Sequence, residues 1–317
     1  MQYLELEDKF SSYIGVEDCV AVSTGTAALH VALEALQLPE NSEVIVPQFT
    51  MVATAWAVYY ARLQPVFVDC TDDLLIDIDD LKSKITSKTK AIMVTHVYGR
   101  VVNMDKIAEI ACNNNLRVIE DAAEAHGCTW GEKMVGSFDI GCFSFYRNKI
   151  VCGEEGGAVT SSDLEFMNRV RDMKSMSFGN KHDYMHDSIG FNYRMTDSQA
   201  SLIIESLQSV DKNIELRRQN ANFYDTIIPS EFLMPKRDVP WVYDIFVPSN
   251  KIVDKFRDQK VAARYGFKPV SMCAPFRIDA TATNAFRLSE HVMYLPVDPS
   301  LSQGEMVKYI QILKELT

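Results

Sequence analysis

The sequence predicts an α/β protein with a mostly parallel sheet flanked by helices, followed by a smaller α+β unit. Three observations point to that class. Through the first two thirds, short apolar runs rich in β-branched residues alternate with amphipathic stretches of helical length. Several of those runs end on a polar residue, at Gln48, Asp69, His96 and Asp121, where parallel sheets present their ligand edge. Beyond Asp121 the alternation gives way to short strands and then to a long helical stretch.

In chain order, Glu43–Val46 reads as a buried strand and Met51–Arg62 as a helix. Pro65–Asp69 is a second strand, and a helix follows over Ile78–Ile85. Lys90–His96 is a third strand, with a helix over Met104–Asn114, and Leu116–Asp121 is a fourth strand. Trp130–Lys133 reads as a hairpin turn, with Gly141–Phe145 and Gly157–Thr160 as further short strands. A single long helix is expected over Thr196–Asn222, with Leu202, Ile203, Leu207, Val210 and Ile214 on its apolar face. It leads past Pro229, Pro235 and Pro240 into the smaller unit, which closes with a helix over Gln303–Leu316. The expected division is a large domain over 1–205 and a small one over 206–317.

Composition narrows the function classes. With 317 residues, 47% hydrophobic and 24% charged, the chain is neither disordered, collagen-like nor a disulfide mini-scaffold. A net charge of -11 disfavours wrapping of nucleic acid or binding to an anionic membrane. The apolar stretch Met51–Ala61 is too short to span a bilayer, and Met1–Phe10 lacks the apolar core of a signal peptide. The seven cysteines are scattered without a C-x-x-C, which predicts buried free thiols in a reducing cytoplasm and no metal site.

Three elements could carry chemistry. Ser23-Thr-Gly-Thr26 precedes a strongly helix-forming run, Ala27–Leu36. Such a helix start offers unpaired N–H groups and a favourable dipole to an anion, although simple capping by Ser23 or Thr24 explains the same residues. Asp121 ends a buried strand, where a carboxylate needs a cation, a metal or a proton-bearing heterocycle, or else caps the next segment. His126 nearby reads as structural or catalytic. Lys149 ends an apolar strand before a glycine-rich turn, Gly153–Gly157. A desolvated lysine there is a usable nucleophile, whereas most lysines are solvated surface residues.

Taken in order, helix-start glycine, strand-end aspartate and Ser-x-x-x-x-Lys resemble the DegT/DnrJ/EryC1/StrS family. These are sugar-type aminotransferases built on the fold type I, aspartate aminotransferase-like architecture of enzymes dependent on pyridoxal 5'-phosphate. The resemblance runs from Gly25-Thr26 to Arg287-Leu-Ser-Glu290 and Leu295-Pro296. Its most specific pieces are Glu120-Asp-Ala-Ala-Glu-Ala-His-Gly127, Ser144-Phe-Tyr-Arg-Asn-Lys149 with Gly156-Gly157, and the stretch from Tyr184 to Asp197. The likeness is greatest to the branch that makes 4-amino-4,6-dideoxy sugars on nucleotide carriers, such as perosamine and viosamine synthases.

The resemblance implies that Lys149 holds pyridoxal phosphate covalently and that Asp121 pairs with its pyridine nitrogen. Gly25, Thr26 and Ser144 would bind the phosphate, and Asn192 and Arg194 would reach the phosphate of a partner subunit in a homodimer with shared sites. Glu124 would lie near the phenolic oxygen, Met51 would cover the ring where relatives usually place an aromatic side chain, and His186 and Arg264 would face the substrate. A dehydratase side-branch of the family has His in place of the lysine, so Lys149 implies amino transfer. The implied reaction is ping-pong transfer from L-glutamate to a nucleotide-linked 4-keto-6-deoxy sugar. Two further readings are a cofactor-binding regulator or partner subunit that does not transaminate, and an aminotransferase acting on a cyclitol or other small ketone. Besides Met51, the chain departs from the family at Arg264-Tyr-Gly-Phe-Lys-Pro269, and relatives carry some tens of residues more before the first helix.

Overall fold

A computed structural model describes residues 1–178, 184–186 and 188–316. After α1 (Gln2–Ile14) come β1 (Asp18–Val22), α2 (Gly25–Ala35), β2 (Glu43–Pro47), α3 (Val52–Tyr60), β3 (Gln64–Val68), α4 (Ile78–Lys84), β4 (Thr89–Thr95), α5 (Met104–Asn114) and β5 (Arg117–Asp121). A two-residue hairpin, β6 (Thr129–Trp130) and β7 (Lys133–Met134), leads to β8 (Ile140–Ser144), β9 (Gly157–Ser161) and α6 (Leu164–Met173).

Seven strands form one sheet in the order β1-β9-β8-β5-β4-β2-β3. All pair parallel except at β9, which runs antiparallel to both β8 and β1. The register aligns one edge: Thr95 faces Asp121, Asp121 faces Cys142, Ser144 faces Gly157, and Gly157 faces Val22. The carboxyl ends of the parallel strands and the start of β9 therefore share a rim, and the site is built there.

Alternating strand residues feed two cores. Cys19 and Ala21 pack with α1 and α5 on one face, while Val20 and Val22 pack with α2, α3 and α6 on the other. At the sheet's edge, α1 is tied down through the buried Glu7, whose Oε1 accepts from the Ala21 N–H at 2.8 Å and from Lys174 Nζ at 2.7 Å. Its Oε2 accepts from Arg171 Nη1 at 2.6 Å.

The remaining chain comprises α7 (Asp197–Gln208), α8 (Val210–Ile227), β10 (Tyr243–Phe246), α9 (Ile252–Asp258), β11 (Arg264–Tyr265), α10 (Asn284–His291), β12 (Val292–Leu295) and α11 (Gln303–Leu316). A three-stranded sheet, β10-β12-β11, packs with α8, α9 and α11 around a third core. The single long helix expected over Thr196–Asn222 is two helices. The chain leaves helical geometry at Ser209 (φ -107°, ψ 10°), so α7 stays against α1 while α8 starts afresh. Of the seven free cysteines, Cys19, Cys70, Cys128 and Cys142 are buried as expected; Cys112 is exposed on α5, and Cys152 and Cys273 are half-buried. Among the described residues no His/Cys/Asp/Glu group is placed to hold a metal ion, and no helix is long and apolar enough to cross a membrane.

Candidate functional site

The rim opens into a cavity of about 480 Å³, walled on the other side by residues of the C-terminal third. Seven residues singled out from the sequence line it: Gly25, Thr26, Met51, Asp121, Glu124, Ser144 and Lys149.

The start of α2 forms one end of the cavity. Thr24 caps the helix, its Oγ1 accepting from the Ala27 N–H at 3.1 Å, while its carbonyl accepts from Ala28. Capping and anion binding are thus compatible, because the Gly25 and Thr26 N–H groups have no acceptor within the helix. Gly25 is required by packing: a Cβ there would lie 2.7 Å from the Ser144 Cβ.

Asp121 is buried at the end of β5. Its Oδ2 accepts from Thr54 Oγ1 at 2.7 Å and its Oδ1 from the Ala123 N–H at 3.2 Å. Thr54 belongs to a hydroxyl chain in which Thr50 Oγ1 lies 2.9 Å from Thr54 Oγ1 and 3.0 Å from Thr95 Oγ1. Burial pushes the Asp121 carboxyl above its ordinary value, and these donors, with Lys149 and His96, hold it back.

Lys149 sits on a tight return between β8 and β9, closed by Lys149 N–H to the Tyr146 carbonyl at 2.8 Å and Gly153 N–H to the Phe145 carbonyl at 2.8 Å. Its Nζ is 3.6 Å from Glu124 Oε1 and 3.8 Å from the centre of the Trp241 ring. Desolvation lowers the Lys149 ammonium's pKa against the pull of Glu124 and Asp121. Desolvation also raises Glu124, to about 7, although Lys149 and the Tyr98 N–H (3.1 Å from Oε2) favour its charged form. One cause moves both groups towards neutrality and so favours the free amine, the form that acts as nucleophile and base.

His126 is structural. It is buried between Phe143 and Phe145, and burial, reinforced by the charges of Lys149 and Arg217, lowers its pKa to about 3. His96 is structural too, its Nε2 3.1 Å from Glu120 Oε2 and its Nδ1 accepting from the Val102 N–H at 3.2 Å. Gln48 and Asp69 serve packing as well: Asp69 receives the Asn284 and Ala285 N–H groups at the start of α10, and Gln48 receives that of Ser271.

Four residues named from the sequence do not line the cavity. Asn192 and Arg194 are exposed, on a segment that bridges Ser175 and Val22 beside α2. His186 places Nδ1 2.8 Å from the Met176 carbonyl, and its neighbours 179–183 and 187 lie outside the described residues. Arg264 is exposed on β11, opposite Tyr294. Sequence reasoning missed Thr54, Trp241, Phe267 and Tyr294. Thr54 had a signal, the Thr50/Thr54 spacing of one helical turn; the three aromatic residues had none.

Comparison with known proteins agrees with this geometry. The chain is 35% identical over 324 residues to a GDP-perosamine synthase of Escherichia coli O157:H7, covering 98% of this chain and 89% of that protein. It is 32% identical over 334 residues to a GDP-perosamine synthase of Caulobacter vibrioides, covering 99% and 89%. A solved DegT DnrJ EryC1 StrS aminotransferase from Brucella abortus superimposes with a TM-score of 0.92 at 26% identity, over 99% of this chain and 90% of that one. The DegT/DnrJ/EryC1/StrS aminotransferase family model matches residues 2–314, and the chain belongs to that family.

Proposed function

We propose that the chain transfers the amino group of L-glutamate to a nucleotide-linked 4-keto-6-deoxyhexose by a ping-pong mechanism, with pyridoxal 5'-phosphate as its cofactor. One observation carries the reading: a desolvated amine, Lys149, and a buried carboxylate, Asp121, open into one cavity with the bare start of α2.

The residues present fit the cofactor. Gly25, Thr26 and Ser144 line one end of the cavity, where a phosphate would meet the N–H groups of Gly25 and Thr26 and a hydroxyl. The Asp121 carboxylate, buried with only neutral donors bonded to it, suits a protonated ring nitrogen. When bound, pyridoxal phosphate supplies an electron sink for the carbanion formed at the amino acid's Cα. Asp121 would hold the proton at the ring nitrogen. Lys149 would attach the cofactor and, once released, would take the proton from Cα and deliver it to the carbon that had been the cofactor's aldehyde, on the far side of the shared nitrogen. Glu124 would receive or donate a proton at the phenolic oxygen, and Met51, which lines the same cavity, would cover part of the ring.

Likeness to GDP-perosamine synthases supports a nucleotide-linked sugar as acceptor. The family resemblance supports a homodimer in which Asn192 and Arg194, both exposed, would reach the partner's phosphate site, and in which His186 and Arg264 would face the substrate. The division into domains 1–205 and 206–317 and a cytoplasmic location belong to the same proposal.

The test is spectroscopic. The wild-type protein is expected to show a band near about 410–430 nm that L-glutamate removes with release of 2-oxoglutarate, and Lys149→Ala to lack the band. A Lys149→Ala protein that keeps it overturns the reading. Turnover of scyllo-inosose, with none of GDP-, dTDP- or UDP-linked 4-keto sugars, moves the acceptor to a cyclitol.

A further inference from the structure

We infer that Trp241 is a positioning residue for Lys149, holding the lysine at both ends: its backbone through the indole N–H and its amine against the indole face. The inference rests on Lys149 being the reacting amine. Trp241 lies between α8 and β10, far in sequence from the lysine, yet its indole is buried at the cavity wall. Nε1–H donates to the carbonyl of Asn148, the residue before Lys149, at 2.8 Å. The ring centre lies 3.8 Å from Lys149 Nζ.

The indole is itself anchored. Its backbone carbonyl accepts from Arg217 Nη1 at 2.8 Å, and Arg217 Nη2 donates to Asp298 at 3.0 Å. Glu124 Oε1 stands 3.6 Å from the same amine. An amine on a four-carbon stem samples many rotamers. A π face and a carboxylate both in reach of the nitrogen narrow that set, and the indole is the aromatic face that best attracts ammonium. A plain wall would need only an apolar surface. The bond to the Asn148 carbonyl adds a fixed distance between the ring and the turn that carries the lysine.

The lysine has two acts that depend on its placement, attachment of the cofactor and transfer of the Cα proton. In attachment the amine lone pair adds to the aldehyde carbon, a C=N bond forms, and the aldehyde oxygen leaves as water with the amine's two protons. Trp241→Leu removes the π face and the N–H donor; Trp241→Phe restores a ring face.

In the holoenzyme, Trp241→Leu is expected to slow the half-reaction with L-glutamate by about tenfold or more, with half-saturation within about twofold of wild type. The isotope effect with glutamate deuterated at Cα rises, because proton transfer becomes limiting, and Trp241→Phe, which restores the ring face but not the N–H donor, recovers the rate only in part. In the full chain freed of cofactor, capture of pyridoxal phosphate slows by about tenfold in Trp241→Leu. Binding of pyridoxamine phosphate, which has no aldehyde, keeps its affinity. Capture at the wild-type rate with an unchanged isotope effect overturns the inference, and so does pyridoxamine phosphate binding that weakens in step with capture. Failure of the underlying reading shows separately, as a 410–430 nm band retained in Lys149→Ala.

Discussion

Thr54→Val tests the link between α3 and Asp121. Valine keeps the shape of threonine and removes the hydroxyl that donates to Asp121 Oδ2 at 2.7 Å. Thr54 is fully buried and Asp121 nearly so, so no solvent replaces the donor. A hydrogen bond to a charged group contributes about 1.5–3 kcal/mol net, and Thr50 loses a partner as well. Burial already holds the Asp121 carboxyl above its ordinary value, and the substitution raises it further. A carboxyl with a raised folded pKa gives stability that is present below its unfolded pKa and lost as pH rises through the folded one. The variant's deficit should therefore be larger at about pH 8 than at about pH 5, because the lost donor supports the ionised form. Urea midpoints of the cofactor-free chain at both pH values measure it, and the acid limb of the glutamate half-reaction should move to higher pH. Wild-type stability at about pH 8, or a deficit that grows on acidification, refutes the reasoning.

Gly25→Ala forces a Cβ to within 2.7 Å of the Ser144 Cβ, which cannot swing away; overpacking of about 1–3 kcal/mol and at least about tenfold weaker retention of pyridoxal phosphate on dialysis are expected. Glu124, raised to about 7 in the fold, binds a proton to higher pH than in the unfolded chain, so its contribution to stability is lost as pH rises through 7. Glu124→Gln should flatten the fall in unfolding free energy between about pH 5 and 8, by up to about 3 kcal/mol in denaturant titrations. Glu7→Ala leaves Lys174 and Arg171 without their shared carboxylate and should cost about 3–5 kcal/mol, read as a lower urea midpoint.

The parts of the fold that were legible share a physical origin. Strands buried on both faces must be apolar along their length, so Glu43–Pro47, Thr89–Thr95 and Arg117–Asp121 announce themselves to within a residue or two. An apolar run carries no mark of its direction, however, and the antiparallel pairing of Gly157–Ser161 could not be seen. The break at Ser209 escaped because apolar residues continue across it with helical spacing, and only the packing of α7 on α1 separates the two helices. At the site, Asp121 stood out because it is a polar group at the end of an apolar strand, and Lys149 because it follows one; the strand expected to reach the lysine ends at Ser144, five residues earlier, and the lysine sits on the return. Trp241, Phe267 and Tyr294 reach the lysine's surroundings only through the docking of the C-terminal third, which no local periodicity encodes.

The antiparallel strand missed in the sequence is also what presents the reactive lysine. A parallel connection from β8 would have to cross over the sheet, usually through a helix of a dozen or more residues, and would carry the chain away from the rim. With β9 reversed, Ser144 and Gly157 face each other, and everything between them becomes a return that stays at the rim. The same reversal sets Gly157 opposite Val22, which delivers the start of α2 to the same place, and a Cβ on Gly157 would lie 2.3 Å from the Thr24 carbonyl. One change of strand direction thus puts the amine and the bare helix start at the edge where Asp121 already stands. A substitution at Gly157 should therefore disturb both ends of the cavity together, weakening phosphate retention and cofactor attachment in parallel, whereas Trp241→Leu separates them.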